Sequence, residues 1–336
     1  MKDVQVTTGG KLYLAGEYAV LTPGQTALIH YIPICMTAKA CLAQETKLSS
    51  DMFAYSVDRT FDCNYQLIQA SIDTFEAYSG QTLPDFELSI TGKLERDGLK
   101  FGIGSSGSVT VLTIKALAAL VDLDLSCDTL FKLAAYTLIK LGDNGSMGDI
   151  ACIAYEKLIA YRSFDRQKIA EQITTSDLES LLDQDWGYEI EVLTPKLRAD
   201  FLVGWTRQPA ISRDMIQAAK SLIDQSFLKE TEKNVQITKQ ALLTADKESL
   251  KAGLQKISDL LEGLSSAIYV DQLKALKEAE QGLDVIAKSS GSGGGDCGIA
   301  LSFSPEASRE LIERWQARGI ELLYQEHWIE VRDDKP

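Results

Sequence analysis

A loop rich in glycine and serine is the segment of this chain best suited to chemistry. Residues 101–109 read FGIGSSGSV, and good helix formers follow as far as residue 121. The backbone N–H groups of such a loop, together with the positive end of the following helix dipole, form a site for an anion such as phosphate. Glycines let the backbone approach a ligand closely. The pattern predicts a phosphate loop in which Ser105, Ser106 and Ser108 hold phosphate oxygens or a magnesium ion.

Two other nucleotide-binding loops fit this segment less well. Gly102, Gly104 and Gly107 match the dinucleotide fingerprint, but that fingerprint follows a buried strand. The preceding residues here, KLERDGLK, are mostly polar. A Walker A loop needs a lysine after its last glycine, where this chain has Ser108. A serine-bearing phosphate loop therefore remains, with a surface turn that caps a helix as the open alternative.

Charged residues in two other segments could complete such a site. Lys11 opens an apolar strand in GKLYLAGEYAVL, and Gly16 turns that strand. A lysine at a strand mouth can reach a phosphate, although a solvated strand end explains it equally. The segment GDNGSMGD places Asp143, Ser146 and Asp149 in a glycine-broken turn before a helix. Asp149 suits either an N-cap or a carboxylate held against a ligand, and both interpretations stay open.

A third glycine-rich segment, SSGSGGGDCGIAL, occupies residues 289–301 and leads directly into a strand. A flexible linker is one interpretation. The apolar residues of CGIAL are typical of a buried strand. This favours the other interpretation, in which the backbone approaches a ligand closely. Arg207 and Arg213 follow an earlier strand, DFLVGWT. These arginines either reach an anionic substrate or form an exposed pair near a helix start.

Composition limits the classes of partner. The formal net charge is -14, which argues against nonspecific binding to nucleic acid or to an anionic membrane. An anionic substrate must therefore meet locally concentrated positive groups. No segment approaches the length of a membrane span and no apolar signal core is visible, which predicts a cytoplasmic protein. Monomer and homodimer both stay open.

Cysteine and histidine usage narrows the chemistry further. The six cysteines lack any CxxC spacing, so we expect buried free thiols and neither a zinc site nor a disulfide framework. Only two histidines are present, which argues against a His-ligated metal or a Ser-His-Asp triad.

Apolar periodicity predicts an α+β protein with two domains, 1–195 and 196–336. In the first domain we expect antiparallel strands over the first forty residues and a strand at 86–90, with helices at 62–78, 109–121, 130–141 and 150–158. In the second we expect strands at 200–206, 297–303 and 320–324, with helices at 212–227, 229–264, 269–287 and 305–317. The helices of the second domain should stack on one face of an antiparallel sheet.

These segments, in this order, resemble the GHMP kinases, which include galactokinase, homoserine kinase, mevalonate kinase and phosphomevalonate kinase. GKLYLAGEYAVL is similar to the family's N-terminal lysine and strand-turn pattern, FGIGSSGSV to its phosphate loop, DNGSMGD to its aspartate loop, and SSGSGGGDCGIAL to its C-terminal glycine motif. The resemblance implies a two-lobed fold. Its N-terminal domain would be like domain 2 of ribosomal protein S5 and its C-terminal domain ferredoxin-like, with ATP and Mg²⁺ bound between them.

Within the family the combination is most similar to bacterial phosphomevalonate kinases. That likeness implies ATP-dependent phosphorylation of 5-phosphomevalonate to 5-diphosphomevalonate, in the mevalonate route to isopentenyl diphosphate. Two alternatives stay open. One is a kinase of the same fold that acts on an alcohol such as mevalonate, and the other is a catalytically silent nucleotide sensor.

The resemblance also implies roles for particular residues, by position. Lys11, Lys100 and Asp149 would be catalytic, and Ser106 would bind magnesium, with Asp143 as a weaker candidate. The ATP phosphates would lie against Gly102, Gly104, Ser105, Ser106, Gly107 and Ser108. The acceptor would contact Lys11, Tyr18, Ser146, Asp149, Ser212, Ser292, Gly293 and Gly294. Lys100 departs from the family pattern, in which many members carry a proline before the loop.

Overall fold

A computed structural model describes residues 3–210 and 212–328 of the chain. The strands are β1 (Asp3–Ala15), β2 (Thr26–Leu42), β3 (Lys47–Ser50), β4 (Ser56–Val57), β5 (Phe86–Thr91), β6 (Glu95–Arg96), β7 (Leu99–Lys100), β8 (Ile159–Arg162), β9 (Glu189–Val192), β10 (Ala199–Trp205), β11 (Val285–Ser289), β12 (Cys297–Ser302) and β13 (Glu321–Trp328). The helices are α1 (Gln66–Ser79), α2 (Ser105–Leu120), α3 (Cys127–Lys140), α4 (Gly148–Tyr155), α5 (Arg166–Ile173), α6 (Leu178–Leu182), α7 (Ser212–Ala219), α8 (Gln225–Thr244), α9 (Lys247–Leu264), α10 (Asp271–Glu278) and α11 (Pro305–Ala317).

The larger sheet has seven strands in the order β4-β3-β5-β2-β8-β9, with β1 also paired to β2. The pair β1 and β2 is antiparallel, as predicted for the first forty residues. Gly16 ends β1 with φ +88°, and a Cβ there would overlap the backbone of Thr26 and Ala27. Only glycine allows the chain to turn so tightly at this point. The turn brings β2 back beside Lys11, which pairs with Tyr31.

Helix α2 lies at the centre of the first domain. It packs against β1 and β2 and against α1, α3 and α4, and most of its side chains are buried. A helix covered on so many sides cannot shift without opening the core. The residues at its N-terminus are therefore held in a fixed place.

The second sheet is fully antiparallel, in the order β11-β12-β10-β13. Alternate residues of β10 enter two different hydrophobic clusters. Leu202 packs with Leu276 of α10 and Trp315 of α11, whereas Phe201 and Val203 belong to the large core that also includes the first sheet. Helices α8 and α9 contribute to the large core, α11 contributes to the smaller cluster, and α10 contributes to both through Leu273 and Leu276. The stacking of all these helices on one sheet face stays a prediction.

Two predicted helices of the second half need correction. The stretch 229–264 is split into α8 and α9, because Ala245 adopts a left-handed conformation and Asp246 caps the next helix. The stretch 269–287 contains α10 and then strand β11, whose residues are all buried. Apolar periodicity over short runs does not separate a buried strand from a helix. The predicted boundary between residues 195 and 196 falls between β9 and β10 and stays a prediction.

Cysteine and histidine follow the sequence prediction in part. All six cysteines are free, but only Cys152 and Cys297 are buried. His30 bonds to Glu326, and His327 bonds to Asp200, so each histidine already has a carboxylate partner. No helix within residues 3–210 and 212–328 is long and apolar enough to span a membrane. Localisation and oligomeric state stay predictions.

Candidate active site

A cavity of about 740 Å³ lies between the two sheets and is lined by segments of both halves of the chain. Most residues that the sequence predicted for the site lie on its wall. They are Lys11, Tyr18, Lys100, Gly102, Gly104, Ser105, Ser106, Ser146, Asp149 and Ser292. Four segments that are far apart in sequence thus meet at one place.

The phosphate loop enters α2 through two left-handed glycines. Gly102 has φ +75° and Gly104 has φ +90°, conformations that favour glycine. Gly104 is the N-cap of α2, and no side chain caps the helix there. The first N–H groups of α2 are consequently available to an anion in the cavity. Ser106 is exposed in the first turn, next to those donors.

Gly107 and Ser108 are buried and do not belong to the cavity wall. The Ser108 hydroxyl donates to the carbonyl of Gly9, 2.8 Å away, which ties the loop helix to β1. A Cβ at Gly107 would lie 2.7 Å from the Ile150 side chain on α4. In this structure both residues hold the loop in position against its neighbours, and direct contact of either with ATP is an untested prediction.

Lys11 lies within β1, directly beside the phosphate loop. Its backbone N–H donates to the Ile103 carbonyl at 2.8 Å. Its ammonium group lies 5.1 Å from the centre of the Tyr13 ring, and its chain passes close to Gly104. The strand thus directs a positive charge toward the N-terminus of α2.

Asp149 lies in the first turn of α4 and is half-buried. The expected N-cap role is wrong, because Met147 occupies the N-cap in a left-handed conformation. Burial raises the pKa of Asp149 above its ordinary value, while the positive charge of Lys11 acts in the opposite direction. The nearby Asp143 adds to the rise in this pKa. Lys11 and Asp149 thus lie near each other on the cavity wall.

Hydroxyl groups line the part of the cavity near Asp149. Ser146 lies 3.0 Å from the Tyr13 hydroxyl, and its carbonyl accepts from Tyr161 at 2.8 Å. The Tyr18 hydroxyl donates to the carbonyl of Ser292 at 2.5 Å, which joins the two halves of the chain. Such groups can orient a polar substrate between the two domains.

The C-terminal glycine motif contributes mainly through its backbone. Gly293 and Gly294 both have positive φ, and a Cβ at Gly293 would approach the Ile268 backbone at 2.6 Å. Neither glycine belongs to the cavity wall. Ser212 begins α7, but its side chain lies outside the described residues, as does that of Arg213. The predicted contacts of these residues with an acceptor stay predictions.

Lys100 ends β7, the second strand of a short hairpin with β6. The Trp205 indole N–H donates to the Lys100 carbonyl at 3.2 Å, so the second domain fixes this backbone. Across the described ranges, neither Lys100 nor Lys11 forms an ion pair. Arg207 instead pairs with Asp97 and Glu321, away from the cavity wall, which supports the interpretation of this arginine as structural.

Sequence reasoning did not assign three charged residues to the site. Asp296 and Glu17 line the cavity, and Lys288 is paired with Glu17. Burial raises the pKa of Asp296 to about 6, although Lys11 and Lys100 act to lower it. Asp296 interrupts the run GGGDCG, and a charge among glycines was the signal that could have identified it. The partnership of Glu17 with Lys288 joins residues too far apart in sequence to leave any such signal.

Comparisons with known proteins agree with this geometry. Residues 66–157 match the family model for the GHMP kinases N terminal domain, and residues 238–321 match that for GHMP kinases C terminal. The chain is 31% identical to the phosphomevalonate kinase of Streptomyces sp. (strain CL190), over 93% of each chain. This level of identity over nearly the full length shows the family.

Solved structures give the same result. A Streptococcus pneumoniae phosphomevalonate kinase in complex with phosphomevalonate and AMPPNP superposes with a TM-score of 0.95 and 49% identity, over 96% of this chain and 99% of that one. The mevalonate kinase of Methanococcus jannaschii, 19% identical, has a TM-score of 0.75 over 97% and 98% of the two chains, and shows the fold alone. The predicted two-lobed fold is confirmed, and this chain belongs to the GHMP kinase family.

Proposed function

We propose that this protein transfers the γ-phosphoryl group of ATP to the phosphate of 5-phosphomevalonate, giving 5-diphosphomevalonate and ADP. The proposal places the enzyme in the mevalonate route to isopentenyl diphosphate. It is supported by the similarity to phosphomevalonate kinases over nearly the whole chain. The Streptococcus pneumoniae enzyme is in complex with phosphomevalonate and AMPPNP, which supports the same kinds of acceptor and nucleotide for this site.

One structural observation supports the proposal on chemical grounds. In a chain of net charge -14, Lys11, Lys100 and the uncapped N-terminus of α2 bring their positive charge to one cavity. Two phosphate groups that must approach each other need such a concentration of positive charge. An alcohol acceptor would bring no second phosphate and would not need Lys100.

The phosphoryl transfer itself requires little covalent chemistry from the protein. A phosphate oxygen of the acceptor forms a bond to the γ-phosphorus while the bond from that phosphorus to the bridging oxygen of ADP breaks. The acceptor phosphate has a second pKa of about 6, so its attacking oxygen is already ionised at neutral pH. A strong general base is therefore not required. Lys11 and Lys100 offset the repulsion between the phosphates, and Asp149 holds Lys11 and the acceptor in place.

Magnesium fits this site through few protein ligands. No group of three His, Cys, Asp or Glu side chains within the described residues could hold a metal ion. Mg²⁺ in kinases is usually bound by substrate phosphates, water and one or two protein oxygens. Ser106 would supply a hydroxyl from the first turn of α2, with Asp143 on the same cavity wall as a second candidate. The ion would neutralise charge on the β- and γ-phosphates.

The proposal is tested by measuring ADP release with Mg-ATP and, separately, 5-phosphomevalonate, mevalonate, galactose or homoserine. We expect turnover with 5-phosphomevalonate alone. Turnover only with an alcohol would overturn the proposed acceptor and return Asp149 to the role of general base. ATP binding without turnover on any acceptor would favour a nucleotide sensor.

A further inference from the structure

Asp296 is an acidic residue beside the proposed phosphate site, where a negative charge should weaken the binding of phosphate. It lines the cavity beside the phosphate loop and is only 9% exposed. A Cβ at Gly102 would overlap its carboxyl group, so the carboxylate lies directly against the first glycine of the loop. A fixed negative charge next to a phosphate site opposes the binding of phosphate. Its presence there requires a physical reason.

The backbone of Asp296 is held firmly in the second domain. Its N–H donates to the Gln208 carbonyl at 2.6 Å, and its carbonyl accepts from the N–H of Thr206 at 2.8 Å and from the Thr206 hydroxyl at 2.8 Å. The residue has φ +54°, a left-handed conformation that glycine favours and that aspartate tolerates better than most other residues. The carboxylate is consequently built into its position, and its Oδ1 accepts from the N–H of Ala210 at 3.1 Å.

The cations that act on Asp296 come from the opposite domain. Lys11 on β1 and Lys100 on β7 both lower its pKa, against the larger effect of burial. Neither lysine has an ion-pair partner within 4.0 Å among residues 3–210 and 212–328. All three residues line one cavity, with the Asp296 carboxyl against Gly102, two residues after Lys100, and the Lys11 side chain against Gly104. Asp296 therefore attracts both lysines across the cavity without being locked to either of them.

We propose that Asp296 is a positioning residue that acts through Lys11 and Lys100. Before substrates bind, its carboxylate keeps the two ammonium groups turned toward the cavity. When the substrate phosphates arrive, the lysines bind them, while Asp296 still holds the two ammonium groups in place from its own side of the cavity. This inference rests on the proposed function, because it assumes that both lysines serve a phosphate acceptor.

The account predicts opposite effects of Asp296→Asn on binding and on turnover. Asparagine keeps an oxygen for the N–H of Ala210 but removes the charge. We expect the KM and the Kd for 5-phosphomevalonate to fall by about threefold to tenfold, because repulsion is relieved. We expect kcat to fall by about tenfold, because the lysines lose their orientation. Steady-state kinetics and calorimetric titration of the intact enzyme with 5-phosphomevalonate measure the two effects.

Three variants separate this role from the others. Asp284→Asn removes one charge from the same domain at a site paired with Lys247 and Lys251, and should leave KM and kcat unchanged. Asp296→Ala should repeat the Asn result with some additional loss from the Ala210 contact. In a Lys100→Met background, Asp296→Asn should lower kcat by less than it does in wild type, since one of its two partners is gone.

Several results would overturn the inference. One is an Asp296→Asn variant with wild-type kinetics beside an Asp296→Ala variant with reduced kcat, which would indicate a purely structural contact. Another is a rise in the KM for the acceptor in Asp296→Asn. A third is a rise in the Mg²⁺ concentration for half-maximal rate, which would indicate a metal ligand. Should Asp296→Asn fail to fold, Asp296→Glu keeps the charge but displaces it, and a kcat equal to that of wild type would equally contradict the proposal. If wild type itself gives no turnover with 5-phosphomevalonate, the proposed function fails first.

Discussion

Two sets of lysines and carboxylates lie between the domains, and they differ in whether the charges are paired. Lys288 of β11 and Glu17, just after β1, form an ion pair with both side chains 1% exposed. Lys288 also donates to the Ser289 carbonyl at 2.6 Å. Lys11 and Lys100, by contrast, face Asp149 and Asp296 without an ion pair in the part of the chain that the structure describes.

The difference separates a structural contact from a reactive one. A buried lysine that is already paired can attract no further anion without losing its partner. A lysine held near a carboxylate, but not bound to it, can still bind a phosphate. The same two residue types therefore join the domains at Glu17 and Lys288 and equip the cavity at Lys11 and Lys100.

The largest effect should come from Lys11→Met. We expect kcat to fall on the order of 10³-fold, the loss typical when a group that stabilises transition-state charge is removed. Stability should change little, because Lys11 has no ion pair within the described ranges. Kinetics with 5-phosphomevalonate and thermal unfolding measure the two quantities. Loss of folding with unchanged turnover per folded molecule would place Lys11 with Lys288 as a structural residue.

Lys288→Met should act in the opposite way. Removing this lysine leaves the Glu17 carboxylate buried without its partner, which typically costs about 3 kcal/mol or more. Urea unfolding should show that loss, and the double variant Lys288→Met with Glu17→Gln should recover most of it. A Lys288→Met protein as stable as wild type, yet inactive, would break the distinction between the two sets.

Lys100→Met should cost turnover and not stability. We expect kcat to fall on the order of 10²-fold, because the acceptor phosphate loses one of two compensating charges. Asp149→Asn should lose no more than Lys100→Met, since the proposed chemistry needs no strong base. Parallel kinetics of both variants decide this point. A far larger loss for Asp149→Asn would favour base catalysis.

The free energy of unfolding should depend on pH because the Asp296 carboxylate has no ion-pair partner within the described residues. In the folded protein the pKa of Asp296 is about 6, above its ordinary value of 3.8, so the folded state binds more protons between these values. The contribution of Asp296 to stability is therefore present below pH 4 and is lost as pH rises through 6. The stability of Asp296→Asn should exceed that of wild type by about 3 kcal/mol at pH 7 and by little at pH 4. A difference independent of pH would contradict this assignment.

The smallest expected effects distinguish the roles of Ser106 and Ser108 in the phosphate loop. Ser108→Ala removes a buried hydrogen bond to the Gly9 carbonyl and should cost about 1 kcal/mol of stability. Ser106→Ala should leave stability unchanged and raise the Mg²⁺ concentration for half-maximal rate. Thermal unfolding and a magnesium titration distinguish them. The reverse pattern would exchange the roles of the two residues.

The sequence was most informative where the chemistry lies within a short segment. The phosphate loop, Lys11, Ser146 and Asp149 could be placed from local glycine, serine and charge patterns. Residues 102–106 of the loop and the other three residues reach the cavity wall. What could not be predicted depends on long-range packing. Strand β11 was mistaken for part of a helix because its residues are all buried. The Glu17 and Lys288 pair and the approach of Asp296 to Gly102 each join residues more than a hundred positions apart.

The central claim is that the acceptor is a phosphate, and identification of the product tests it most directly. Phosphorus NMR of a reaction containing Mg-ATP and 5-phosphomevalonate should show a new diphosphate ester, with two coupled phosphorus signals, formed in equal amount with ADP. ADP accompanied only by inorganic phosphate, or a new monoester formed on an alcohol in place of a diphosphate, would contradict the account.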